Sequence, residues 1–160
     1  ISFMQFQFIY KGSGKYVEDL LDIVQIGQES LPIYYKLHHL IEMIRHPSYL
    51  IYKCNLKNET IGFFILEICD ETKNKNKIHI MSIAISKSYR GKGYGTKIMD
   101  FLKNIFLKYT LSLYVQIQNK DAVRFYLKHN FEIKDTLINY YDELIHKDAY
   151  YCEFKHEYDS

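Results

Sequence analysis

The sequence predicts an α+β domain built on a mixed, mostly antiparallel central sheet flanked by helices. Three observations carry that prediction. Strand-like runs outnumber helical ones and do not alternate strictly with them, as a βαβ protein would require. Two helical stretches precede the main block of strands, and a third follows a glycine-rich turn. The chain of 160 residues suits one core, whereas two cores of half that size would each be marginal. A single domain over residues 1–160 is therefore expected.

A strand from Phe3 to Tyr10 leads into the loop Gly12-Ser13-Gly14. Val17, Leu20, Leu21 and Val24 then fall at helical spacing, and Leu37, Leu40, Ile41 and Ile44 do so again before Pro47 stops the second helix. Tyr49 to Cys54 and Thr60 to Ile68 read as strands. The polar stretch Asp70 to Lys77 reads as a solvated hairpin loop. Lys77 to Ile85, rich in β-branched residues, is the next strand. Beyond the glycine turn, Ile98, Phe101, Leu102, Ile105 and Phe106 make a one-sided stripe, so this helix is expected to pack on the sheet. A strand at Leu111 to Ile117 and a short helix from Asp121 to His129 follow. Strands near Phe131 to Lys134, Leu137 to Tyr141 and Ala149 to Lys155 close the chain.

Composition narrows the function classes. With 48% hydrophobic and 25% charged residues, the chain reads as an ordinary globular protein. The longest apolar runs, such as Ile61 to Leu66, are too short to span a bilayer, so no membrane association is expected. The first residues carry no basic segment followed by an apolar stretch, so no secretory signal is visible, although a chain that starts without Met leaves room for a lost leader. Net charge is +2 with no concentration of Lys and Arg, which argues against direct nucleic-acid binding. Cys54, Cys69 and Cys152 have no C-x-x-C spacing, which argues against disulfides or zinc and fits a reducing, cytoplasmic setting. His38, His39, His46, His129, His146 and His156 lack ligand clustering and read as surface residues. No metal is expected.

The turn Arg90-Gly91-Lys92-Gly93-Tyr94-Gly95-Thr96 joins a strand to an amphipathic helix. The first amides of a helix lack intrahelical partners, glycines let a ligand approach the backbone, and the helix dipole favours an anion there. Arg90 and Lys92 add positive charge, so the turn reads as a phosphate or pyrophosphate cradle. It is neither a Walker A loop nor the dinucleotide fingerprint, because its glycines are spaced by twos.

This turn resembles R/Q-x-x-G-x-G/A, the acetyl-CoA signature of the Gcn5-related N-acetyltransferase (GNAT) superfamily. A second block, Asn119-Lys120-Asp121-Ala122-Val123-Arg124-Phe125-Tyr126 ending in His129-Asn130-Phe131, resembles the superfamily's N-x-x-A-x-x-F-Y-x-x-x-G-F segment. Asn130 stands where the pattern has Gly, and Asn also enters the left-handed region that ends a helix. Ile80-Met81-Ser82-Ile83, Tyr114-Val115-Gln116-Ile117 and Asn139-Tyr140-Tyr141 resemble the NatE type of N-α-acetyltransferase catalytic subunit.

The resemblance implies a GNAT fold, acetyl-CoA as cosubstrate and a protein N-terminus as acceptor, chiefly Met followed by an apolar residue. It also implies that such a chain can join a larger N-terminal acetyltransferase complex. Backbone groups at Ile83 and Ile85 would pair with the pantetheine arm, and the loop containing Arg90, Gly91, Lys92, Gly93, Gly95 and Thr96 would hold the pyrophosphate. Asn119 and Tyr126 would approach the sulfur end. Leu31, Pro32, Ile33, Tyr35, Met81, Tyr140 and Tyr141 would line a slot for the acceptor's first two residues. The family places a Tyr and a His around a water that takes the amine proton. Here the two types are exchanged, as His79 and Tyr114.

The chemistry suits these residues. An α-amine, with a pKa of about 8, must lose a proton before it attacks. An imidazole near about 6.5 is a better acceptor than a phenol near about 10. His79 is thus the expected base, acting through a water, Tyr114 its helper, and Tyr126 the proton donor to the leaving thiolate. A lysine or small-amine acceptor, and a non-catalytic CoA-binding subunit, are the alternative readings.

Overall fold

The computed structural model describes residues 3–71 and 75–157. In chain order the elements are β1 (Met4–Phe8), α1 (Tyr16–Ser30), α2 (Leu37–Ile44), β2 (Tyr49–Leu56), β3 (Glu59–Glu71), β4 (Lys75–Ile85), α3 (Tyr94–Ile105), β5 (Thr110–Gln116), α4 (Lys120–Lys128), β6 (Glu132–Leu137) and β7 (Ala149–Phe154). The strands form one sheet in the order β1-β2-β3-β4-β5-β7-β6. The pairs β1–β2, β2–β3, β5–β7 and β6–β7 are antiparallel. α3 carries the chain from β4 to its neighbour β5, the kind of connection a parallel pair needs, so the sheet is mixed. Two compact units divide it: residues 1–68 with 80–98, and residues 69–79 with 99–160.

In the first unit, helical spacing puts Leu20, Ile23 and Ile26 on one face of α1. They are buried with Leu40 of α2 against Ile51 of β2, Phe63 and Ile65 of β3, and Ala84 of β4. Ile51 pairs with Ile65 and Lys53 with Phe63, so period-two alternation aims Lys53 into this apolar face as well. Lys53 is 6% exposed, and its Nζ donates to Asp19 Oδ1 at 2.9 Å and Asp22 Oδ2 at 2.8 Å. Burial alone would push the ammonium down. The bonds to Asp22 and Asp19 more than reverse this, so the charge persists. Gly62 lets two strands meet closely: a Cβ there would lie 2.6 Å from the carbonyl oxygen of Ala84.

In the second unit, β5 runs beside β7 with Leu111 opposite Phe154 and Tyr114 opposite Tyr151. Leu111, Leu113 and Val115 are buried on alternate positions. Asn119 caps α4, its Oδ1 accepting the Ala122 N–H at 3.2 Å, and Asn130 ends the helix region at φ 68°.

Three expectations need correction. Leu137 to Tyr141 is not a strand of its own. β6 runs through to Leu137, and the chain then turns at Asn139, which sits at φ 58° and donates its N–H to Asp148 Oδ1. The α3 stripe is shorter than predicted: Ile98 and Leu102 are fully buried, as is Met99, but the helix ends at Ile105, which is 43% exposed. His129 is buried rather than superficial, because the chain turns at the end of α4 and brings its ring, tilted, within 4.6 Å of that of Phe125. The expected hairpin loop is also trimmed by β3 and β4, and its residues 72–74 lie outside the described residues.

Gly62→Ala is expected to lower stability by about 1–3 kcal/mol, because backbone rather than a flexible side chain blocks the added methyl. Urea denaturation checks this, and an unchanged midpoint would contradict the close approach.

Candidate active site

Side chains alternate across a strand, so Lys77 and His79 of β4 share a face. Register does the same for Ser112 and Tyr114 of β5 with their partners Glu153 and Tyr151 of β7. These six residues form one polar and aromatic cluster in the second unit. His79 Nδ1 lies 2.8 Å from Ser112 Oγ, and Ser112 is fully buried. The His79 ring meets Tyr114 edge-on at 5.1 Å. Lys77 Nζ donates to Tyr151 Oη at 2.7 Å and lies 3.6 Å from Glu153 Oε2, while Tyr151 Oη donates to Glu153 Oε2 at 2.8 Å.

Burial, followed by the Lys77 charge, pushes the His79 imidazole down to about 4. The ring is therefore neutral at pH 7 and holds a free lone pair.

A wall of tyrosines continues from this cluster. Tyr114 stacks on Tyr140 at 4.4 Å with 23° between planes, and Tyr140 meets Tyr141 edge-on at 4.8 Å. The Tyr141 N–H donates to Lys147 O at 2.9 Å, which anchors the segment after β6. Burial, with Tyr140 and Tyr114 nearby, pushes the Tyr141 phenol up to about 12. Tyr126 on α4 packs its ring between Phe125 and Phe131. Burial above all, then Tyr141 and Cys152, raises its phenol well beyond the usual range, so it stays protonated.

The first unit holds the other expected residues. Ile83 and Ile85 lie on the last part of β4, and the glycine turn follows it. Gly91 sits at φ 73° and Gly93 at φ 88°, and a Cβ at either would meet no atom within 4 Å. These glycines are needed for conformation and leave open space over the backbone. Arg90 Nε donates to Ile85 O at 2.9 Å, tying the turn to the strand end. Lys92 Nζ lies 5.5 Å from the Tyr89 ring centre, and Gly95 and Thr96 open α3. Leu31, Tyr35 and Met81 pack on the same apolar core, whereas Pro32 and Ile33 are exposed.

Tyr114, Tyr140 and Tyr141 thus join His79 in one cluster, and Leu31, Tyr35 and Met81 share another. Asn119 spends its carbonyl oxygen on capping α4. Sequence reasoning missed Ser112, Tyr151, Lys77 and Glu153. Alternation along the strands was the available signal, but only the pairing register brings these residues beside His79. Among the described residues no group of His, Cys, Asp and Glu could hold a metal, and no helix is long and apolar enough to cross a membrane.

Residues 17–131 match the acetyltransferase (GNAT) family, and the chain belongs to it. It is 36% identical over 85 residues to N-alpha-acetyltransferase 50 of Danio rerio, a match covering 51% of each chain. It is 26% identical over 145 residues to an N-alpha-acetyltransferase of Sulfolobus acidocaldarius, covering 84% of this chain and 85% of that one. The chain spans about half the length of the curated relatives it matches first. In fold it is similar to Arabidopsis thaliana Naa50 in complex with the bisubstrate analogue CoA-Ac-MVNAL, with a TM-score of 0.80 at 20% identity over 96% of this chain and 99% of that one. It also resembles the ribosomal-protein-S18-alanine N-acetyltransferase of Escherichia coli, with a TM-score of 0.76 at 18% identity over 95% and 93% of the two chains.

The His79 environment predicts a pH signature. An unfolded chain takes up the His79 proton at about pH 6.5, and the folded chain only near about 4. Between these values the unfolded state binds more protons, so stability falls as pH drops through that window. Denaturation midpoints measured across pH 4–7 should show a shallower fall for His79→Asn than for the unaltered chain, and parallel curves would contradict the burial of His79.

Proposed function

We propose that this protein transfers the acetyl group of acetyl-CoA to the N-terminal α-amine of other proteins, preferring Met followed by an apolar residue. The observation that carries this reading is the neutral His79 beside Tyr114, Tyr140 and Tyr141, in a chain whose family transfers acetyl groups. The relatives named N-alpha-acetyltransferase support the acceptor class.

The glycine turn fits the cosubstrate. Its left-handed glycines, the amides that open α3, and the charges of Arg90 and Lys92 suit a pyrophosphate. When bound, acetyl-CoA would supply an activated thioester. Ile83 and Ile85 would offer strand-like backbone pairing to its pantetheine arm, with Asn119 and Tyr126 near the sulfur. Leu31, Pro32, Ile33, Tyr35 and Met81, with Tyr140 and Tyr141, would admit a chain end and select its first side chains.

His79 takes the amine proton through a water that Tyr114 helps to hold. A base this weak suffices, because the nitrogen proton grows far more acidic as the nitrogen bonds to carbon. Tyr126, held protonated by burial, donates a hydrogen bond to the departing sulfur. The reading also includes a cytoplasmic location, association with a larger N-terminal acetyltransferase complex, and one functional domain, the last supported by a single family match that runs through both units.

CoA release tests it, with a peptide beginning Met-Leu beside the same peptide already acetylated at its α-amine, each with one internal Lys. Activity on the free peptide alone is expected, and His79→Ala should lower kcat by about 10²–10⁴-fold. Equal activity on both peptides would move the acceptor to lysine.

A further inference from the structure

The segment 138–148 between β6 and β7 is neither helix nor strand, yet it carries Tyr140 and Tyr141. A connection without secondary structure keeps one shape only if specific bonds offset the entropy of ordering it. Tyr140 is 44% exposed, so burial alone does not fix its ring.

The bonds that do so gather on His146, Lys147 and Asp148, the limb that enters β7. His146 O accepts from Gln116 Nε2 at 2.6 Å, and Lys147 O accepts the Tyr141 N–H at 2.9 Å. Asp148 is used twice. Its backbone O accepts the Ile117 N–H at 3.0 Å, and its Oδ1 accepts the Asn139 N–H at 3.0 Å. The residues on either side of Tyr140 are thus both tied to this limb. The limb is in turn tied to the end of β5, the strand that carries Tyr114.

Asn139, at φ 58°, makes the turn that brings its N–H to Asp148, and Asn enters this region more readily than most residues. Between the two tied amides, the Tyr140 ring stacks on Tyr114, 4.4 Å away with 23° between planes. Gln116 also reaches the other way. Its backbone O accepts the Asn119 N–H at 3.0 Å, and Asn119 caps α4.

We propose that Asp148 and Gln116 are positioning residues that clasp the segment 138–148 and thereby set which acceptor side chains Tyr140 and Tyr141 admit. The proposal rests on the acetyltransferase reading above. Neither residue touches acceptor or cosubstrate in this account, and both act through the tyrosines.

The Asp148 side chain can be changed without cutting its bond from Ile117, which uses a backbone oxygen that every residue has. Removing the carboxylate takes away the acceptor of the Asn139 N–H and frees Tyr140 to leave Tyr114. A looser wall grips each side chain less and distinguishes them less, while proton transfer at His79 is untouched. A plain loss of stability acts differently: it removes folded enzyme and cuts turnover on every peptide alike.

Asp148→Ala, Asp148→Asn and Gln116→Ala, each made in the intact chain, test the clasp. Asp148→Ala should raise KM for the Met-Leu peptide by about 5–10-fold, with kcat and KM for acetyl-CoA unchanged. Its preference for Met-Leu over a Met-Lys peptide should narrow by a similar factor. Asp148→Asn keeps an acceptor oxygen and should restore both. Gln116→Ala removes only the side-chain bond to His146 O, should shift KM in the same direction, and remains informative if Asp148→Ala folds poorly. Unchanged KM and preference in both alanine variants would overturn the clasp, as would an equal loss of turnover on all peptides or a failure of Asp148→Asn to restore binding. Proton NMR of the Tyr140 ring gives a readout independent of turnover. Its resonances should lie upfield, under the Tyr114 face, in the unaltered chain and in Asp148→Asn, and move towards free-tyrosine positions in Asp148→Ala. Resonances that do not move would also overturn the clasp. Silence of the unaltered chain on every α-amine would instead overturn the acetyltransferase reading, and the ring resonances would still decide whether Asp148 places Tyr140.

Discussion

Desolvation of the half-buried His79 beside Lys77 is the constraint on which the polar cluster of the second unit depends. An imidazole in water is half-charged near neutrality, but here desolvation and a neighbouring ammonium remove the charged form from the working range. What remains is a ring whose lone pair is always available and whose cation is costly. The surrounding residues match that condition: Ser112 engages one nitrogen, Tyr114 presses on the ring edge, and Glu153 sits opposite Lys77 with Tyr151 between them. Deleting Lys77 would relax the depression, and deleting Glu153 would remove the carboxylate 3.6 Å from Lys77 Nζ.

The first unit solves a different problem, that of holding backbone in shapes most residues refuse. Gly91 and Gly93 lie in the left-handed region with nothing above them, and Arg90 fastens the turn to Ile85. Gly62 lets a strand approach Ala84. Behind them, Lys53 spans from β2 to Asp19 and Asp22 of α1, so the helix is held to the sheet by two ion pairs of one buried lysine as well as by Leu20, Ile23 and Ile26.

Much of this was legible in the chain. The spacing of Leu20 and Leu40 announced α1 and α2, the glycine turn and the Asn119 to Phe131 block announced the family, and the two rings singled out on β4 and β5, His79 and Tyr114, do lie 5.1 Å apart. The site residues that were missed share one cause. Alternation says which residues share a face of a strand but not which strand lies beside it, so Ser112, Tyr151 and Glu153 could not be placed near His79 before the register of β5 on β7 was known. Leu137 to Tyr141 looked like a strand because its residues favour one, yet Asn139 in the left-handed region and its bond to Asp148 turn the chain there. His129 looked superficial because composition cannot tell that its ring folds back onto Phe125.

The pH dependence of kcat/KM on a Met-Leu peptide tests the central claim most directly. A half-buried, neutral His79 predicts a rate that climbs with deprotonation of the α-amine at about pH 8 and shows no break at about pH 6.5. An inflection at about pH 6.5 that disappears in His79→Gln would mean an ordinary, solvated imidazole, and would contradict the account.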